Sequence, residues 1–103
     1  MAQKVVTVGT ADQVRTGQLA AFDVDGRKVA VANVGGRYYA FDDVCTHEEC
    51  SLAEGELEGM KVTCPCHGGQ FDVASGAAVT PPVVTPVQTY QVRLEGGELR
   101  IEI

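Results

Sequence analysis

The sequence predicts a small all-β protein built from antiparallel strands, with a site-bearing segment set into its middle. Three observations support this reading. Short valine-rich apolar runs recur along the chain, glycine turns such as Asp25-Gly26, Gly35-Gly36 and Gly96-Gly97 separate them, and between about 42 and 76 the pattern gives way to cysteine, histidine and glutamate.

Val5, Val6 and Val8 begin a first strand, and Thr10-Ala11-Asp12-Gln13 suits the cap of one helical turn. Residues 18–24 and 27–34 flank Asp25-Gly26, a dipeptide favoured in two-residue hairpins because it tolerates positive φ. Gly35-Gly36 then turns the chain into a strand at 37–41, and short strands are expected at 61–64 and 70–73. Alternation returns at 87–94, and Gly96-Gly97 leads to a last strand at 99–103. Residues 80–86 contain Pro81, Pro82 and Pro86; three missing N–H donors rule out an interior strand and predict a stiff extended loop. There is no internal repeat, linker, low-complexity tract or long helix pattern.

A length of 103 residues suits one domain with one principal core. No apolar run approaches the roughly 18–20 residues of a membrane-spanning helix, and Met1-Ala2-Gln3-Lys4 leads straight into a strand without a signal-like apolar region. A cytoplasmic protein without a membrane partner is expected. The formal charge of -6 disfavours nucleic acid and favours basic partners.

All four cysteines fall between 45 and 66, with both histidines of the chain interleaved among them. A disulfide scaffold would spread its staples over the fold; this clustering points to one local metal or redox site. The pattern is Cys45-x-His47, sixteen intervening residues, then Cys64-x-x-His67. Two loops, each offering one thiolate and one imidazole, suit either zinc or an iron–sulfur centre. A structural zinc site more often pairs its cysteines in one half and its histidines in the other. Two buried thiols and two unrelated histidines are the bland alternative, and a weaker one.

Cys45-Thr46-His47 together with Cys64-Pro65-Cys66-His67-Gly68 resembles the two cluster loops of Rieske [2Fe–2S] proteins, in particular the small soluble Rieske-type ferredoxins of multicomponent aromatic-ring dioxygenases. The likeness runs along nearly the whole chain, through Phe71-Asp72, Gly76, the proline loop and the closing hairpin. It implies an antiparallel Rieske-like β-sandwich or barrel with an inserted cluster-binding subdomain. One domain would then span 1–103, with cluster loops within about 42–76 and the β scaffold at 1–41 and 77–103. It also implies one [2Fe–2S] cluster, with Cys45 and Cys64 on one iron and His47 and His67 on the other.

Neutral imidazoles leave such a cluster two charges less negative than a four-cysteine one, so adding an electron in a low-dielectric site is easier and the potential is higher. The second nitrogen of each histidine can lose a proton, which predicts a potential that falls in the alkaline range. Where high-potential relatives carry serine and tyrosine donors, this chain has Gly69 and Phe71, implying a potential in the lower part of the roughly -150 to +300 mV Rieske span. Cys50 and Cys66 match positions where high-potential members carry a disulfide between the loops, so a bridge is expected there, with two free buried thiols, favoured by a reducing cytosol, as the alternative. Pro81, Pro82 and Pro86 match the family's proline loop. Glu48, Glu49, Glu54, Glu56 and Glu58 give the first loop an acidic field suited to a basic docking partner.

The function implied is one-electron transfer from a flavin-containing reductase to a terminal oxygenase, by a protein that is monomeric when free. A module of a larger redox enzyme, such as a nitrite reductase small subunit, is the alternative. A catalytic oxygenase is excluded: it needs a further iron on two histidines and a carboxylate, and both histidines are already assigned. No Ser–His–Asp set or phosphate-binding glycine motif suggests another activity.

Overall fold

Two antiparallel sheets make up the computed structural model, which describes residues 4–44, 50–66, 68–80 and 86–102. The larger runs in the order β1-β10-β9-β4-β3-β2, from strands β1 (Val5–Thr10), β2 (Leu19–Val24), β3 (Arg27–Val34), β4 (Arg37–Asp42), β9 (Thr89–Glu95) and β10 (Glu98–Glu102). Its edge strands β1 and β2 approach each other, so the sheet curls into a nearly closed barrel. The smaller sheet has the order β5-β6-β7-β8, from Glu56–Glu58, Lys61–Thr63, Gln70–Asp72 and Ala78–Thr80.

The β2–β3 hairpin turns on Asp25 and Gly26, whose φ angles of 55° and 83° meet the demand of a tight two-residue turn for left-handed backbone at both positions. A single 3-10 turn at Ala11–Gln13 follows Thr10, with the Gln13 side chain accepting from the Thr10 N–H at 2.8 Å.

Strand β3 shows why this sequence makes this architecture. Val29, Val31, Ala40, Leu99 and Ile101 pack inside the barrel with Val14 and Val24. Ala30 and Ala32, on the opposite face of β3, join Phe41, Leu52, Val62, Cys64, Phe71 and Val73 in a second cluster beneath the small sheet. A strand buried on both faces needs a continuous apolar run rather than alternation, and residues 29–32 supply it. Fully burying Phe41 and Phe71 favours folding by about 1.5–3 kcal/mol each. The β3–β4 wall thus carries the barrel on one side and the site-bearing layer on the other.

The predicted strands form with small shifts at their ends, and two further strands appear. Strand β5 is Glu-Leu-Glu: Glu56 and Glu58 are exposed while Leu57 packs on the second core, so its acidic residues hide a strand with one inward side chain. Strand β8 pairs with β7, carrying the small sheet as far as Thr80. Pro81 and Pro82 of the expected proline loop lie outside the described residues; Pro86 is exposed.

Candidate metal centre

Cys64 follows directly on β6 and is buried, 3% exposed, against the core beneath the small sheet. Its N–H donates to the Gly69 carbonyl at 2.7 Å, and its own carbonyl accepts from the Gly68 N–H at 3.1 Å. These bonds close a tight turn over 64–69 that needs left-handed backbone at Gly68, φ 74°. Register beyond the turn is held by the β6–β7 ladder and by Gln70 Nε2 donating to Thr63 Oγ1 at 3.1 Å. The position of Cys64 is therefore set by backbone pairing on both sides.

The first motif hangs from the end of β4. Val44 forms an isolated antiparallel bridge with Ser51, closing a short loop at its base. Below it, Asp43 is buried, its carboxylate accepting from Ser51 Oγ at 2.7 Å and from the Ala53 N–H at 2.9 Å. Chain direction after the bridge is fixed by a 3-10 turn at Leu52–Glu54, whose Leu52 is fully buried. At the adjoining seam Tyr90 donates to Asp42, and Arg27 Nη1 donates to the Tyr90 hydroxyl at 2.9 Å. Burial and the Asp42 hydrogen bond push the Tyr90 phenol above its ordinary range, with Arg27 opposing.

A disulfide links the two motifs: Cys50 and Cys66 are joined, with Cα atoms 6.4 Å apart. The sulfurs of Cys50, Cys64 and Cys66 all lie within 4.8 Å of one another. Of the four predicted ligands, Cys64 is described, whereas Cys45, His47 and His67 lie outside the described residues, as do Glu48 and Glu49. Their described flanks, Val44 and Cys50 on one side and Cys66 and Gly68 on the other, belong to the two segments that the disulfide joins. A buried thiol on a hydrogen-bonded turn, beside a second cysteine- and histidine-bearing segment, is a donor set that fits an iron–sulfur cluster.

Residues 4–91 match the family model described as the Rieske [2Fe-2S] domain. The chain belongs to the Rieske family. Along its full length it is 34% identical to the ferredoxin component of a naphthalene 1,2-dioxygenase system from Pseudomonas aeruginosa, covering 99% of that protein. Among solved structures, the ferredoxin of carbazole 1,9a-dioxygenase from Nocardioides aromaticivorans IC177 superposes with a TM-score of 0.91 at 39% identity, covering 95% of this chain and 96% of that one. A chain from a complex of reduced oxygenase and oxidised ferredoxin in carbazole 1,9a-dioxygenase gives 0.90 at 34% identity, covering 97% of this chain and 94% of that one. The nitrite reductase small subunit from Mycobacterium tuberculosis, at 20% identity and a TM-score of 0.88, shares the fold.

This Rieske chain is an electron-transfer component rather than a catalytic enzyme, and it carries a single [2Fe–2S] cluster. No helix among its described residues is long and apolar enough to cross a membrane. Sequence reasoning missed Asp43, Ser51 and the Arg27–Tyr90–Asp42 chain. Only the Asp42-Asp43 pair, separated from Cys45 by Val44, hinted at them.

Proposed function

We propose that this protein shuttles single electrons from a flavin-containing reductase to the terminal oxygenase of an aromatic-ring dioxygenase system, as a monomer in the cytoplasm. Cys45 and Cys64 would hold one iron and His47 and His67 the other. When bound, the cluster supplies a one-electron couple. The chain's own residues would orient it: the hydrogen bonds joining Cys64 to Gly68 and Gly69 would present one thiolate from the apolar core, and the Val44–Ser51 bridge would bring the flanks of the first motif together.

The observation that carries the reading is the convergence of the two motif-bearing segments at the Cys50–Cys66 crosslink, beside buried Cys64. An oxygenase acceptor is supported by the relatives named as dioxygenase ferredoxins and by the solved complex of such a ferredoxin with its oxygenase. Exposed Glu54, Glu56 and Glu58 give the small sheet an acidic flank suited to a basic docking face.

Anaerobic reconstitution tests the ligand set. The full chain should take up iron and sulfide in equal amounts and give a rhombic electron paramagnetic resonance (EPR) signal on reduction, whereas Cys64→Ala and His47→Ala should not. Turnover of an aromatic substrate by a reductase and an oxygenase, dependent on this chain, tests the shuttle. Failure to couple the two while the cluster cycles normally would reject the proposed partners.

A further inference from the structure

Asp43 is an acidic side chain set in an apolar wall, only 2% exposed, and none of the ion pairs among the described residues involves it. Every hydrogen-bonding group it owns is nevertheless used. Its N–H donates to the Lys28 carbonyl at 3.1 Å, and its carbonyl accepts from the Leu52 N–H at 2.7 Å. Oδ1 accepts from the Ala53 N–H at 2.9 Å, and Oδ2 accepts from Ser51 Oγ at 2.7 Å. The residue is anchored to β3 on one side and grips the chain beyond the first loop on the other.

What it grips is specific. Ser51 stands at the start of the 3-10 turn Leu52–Glu54, yet its side chain makes no cap bond there. Asp43 caps that turn from across the loop instead, and the Val44–Ser51 bridge lies directly above. Val44 and Ser51, which flank the first motif in sequence, are therefore held together in a stem tied by backbone and side chain alike. Burying a carboxylate is costly, and an apolar residue would fill the same space more cheaply. A fully satisfied buried polar group, however, specifies one arrangement where an apolar contact tolerates many.

We propose that Asp43 is the positioning residue of the first cluster loop. It holds the stem closed before the cluster arrives, so that binding need not supply the ordering entropy of loop closure. This rests on the reading that Cys45 and His47 are ligands. Asp43 itself touches the stem and acts on the cluster only through that loop.

The test compares full-length wild type with Asp43→Ala, Asp43→Asn and Ser51→Ala, and with Val31→Ala as a control that opens a cavity in the barrel core. Three quantities are read: cluster release to an iron chelator, the linewidths of the reduced EPR spectrum, and amide exchange at Leu52 and Ala53 in the cluster-free chain. Asp43→Ala should release the cluster about tenfold faster or more, the effect of losing a charged-group hydrogen bond, with broadened lines and faster exchange at both amides. Asp43→Asn keeps an acceptor for Ala53 and should fall between, as should Ser51→Ala. Val31→Ala should lower the melting temperature while leaving release and linewidth near wild type.

Wild-type release and unchanged lines in Asp43→Ala would overturn the proposal, as would a Val31→Ala chain that releases the cluster just as fast. If the wild type takes up no iron and sulfide, the ligand reading falls, and amide exchange alone decides whether Asp43 closes the stem. Unaltered exchange in Asp43→Ala would then overturn it.

Discussion

The Tyr90 hydroxyl donates to Asp42 Oδ1 at 2.5 Å, joining β9 to the end of β4 where the two strands pair over only Ala40–Tyr90 and Phe41–Thr89. Arg27, reaching from the start of β3, donates to the Tyr90 hydroxyl oxygen at 2.9 Å. This chain of three side chains, half-buried at Tyr90 and Asp42 and exposed at Arg27, reinforces the short β4–β9 seam.

Tyr90→Phe should cost about 1 kcal/mol near neutral pH through the lost hydrogen bond. Because the folded phenol titrates above its unfolded value, the unfolded chain loses its proton first as pH rises. The stabilisation is fully present below about pH 10 and declines above it. Urea melts of both proteins at about pH 8 and about pH 11 should show the gap between them narrowing.

Asp72 accepts from the Ala74 N–H at 2.9 Å and the Ser75 N–H at 3.0 Å, closing the turn after β7. The Ser75 N–H does most to hold its carboxyl below the usual carboxylate range; burial opposes it, and the Ala74 N–H adds to the lowering. Its contribution is present above the unfolded value of about 3.9 and disappears as pH falls through the folded one. Acid-unfolding curves should be shallower for Asp72→Asn than for wild type.

Gly76 has φ 79°, and a Cβ there would lie 2.2 Å from the Val87 carbonyl oxygen. The Val87 N–H in turn donates to the Gly76 carbonyl at 2.9 Å, leaving the backbone little room to retreat. Gly76→Ala should cost more than the roughly 1–3 kcal/mol of a left-handed non-glycine residue. Gly35→Ala, at φ 61° in open space, should cost no more than that conformational share. Paired thermal melts separate steric from conformational cost.

Cys50 and Cys66 are separated by 16 residues in sequence, and a disulfide closing a loop of that size stabilises by about 3 kcal/mol. Reduction or Cys50→Ser should lower the stability of the cluster-free chain by up to that amount. The loss should be smaller in the loaded protein, where ligands on both loops already restrict the same segments. Chemical melts with and without a dithiol measure the difference.

Phe71 is fully buried and Gly69 is buried, and neither carries a hydroxyl that can donate to a sulfur. The midpoint potential should lie in the lower part of the roughly -150 to +300 mV Rieske range. Gly69→Ser should raise it, because a donor to sulfur stabilises the reduced, more negative centre. Spectroelectrochemical titration of both proteins checks the direction.

Much of this fold was legible because local chemistry and tertiary demand agree. Asp25-Gly26 announced the β2–β3 hairpin by its backbone permissiveness, with 27–34 as its second strand, whereas the burial of 29–32 on both faces emerged only in the packed structure. Strand β5 escaped notice because two of its three residues are exposed glutamates, and only Leu57 reports its pairing. Strand β8 is too short for periodicity and leads straight toward the prolines.

The site divides in the same way. Cysteine and histidine spacing gave the ligand candidates and narrowed the centre to zinc or iron–sulfur, since soft and imidazole donors at two motif positions limit which metal groups can bind; the likeness to the Rieske loops chose between the two. Proximity of Cys50, Cys64 and Cys66, the burial of Asp43 and its grip on Ser51 and Ala53 depend on how β4, the 3-10 turn and the small sheet stack on one wall. Asp43 reaches Ser51 and Ala53, 8 and 10 positions away, through directed hydrogen bonds, and Cys50 meets Cys66, 16 positions away, in a disulfide. A linear pattern encodes which groups are available; only the packed layers decide which of them meet.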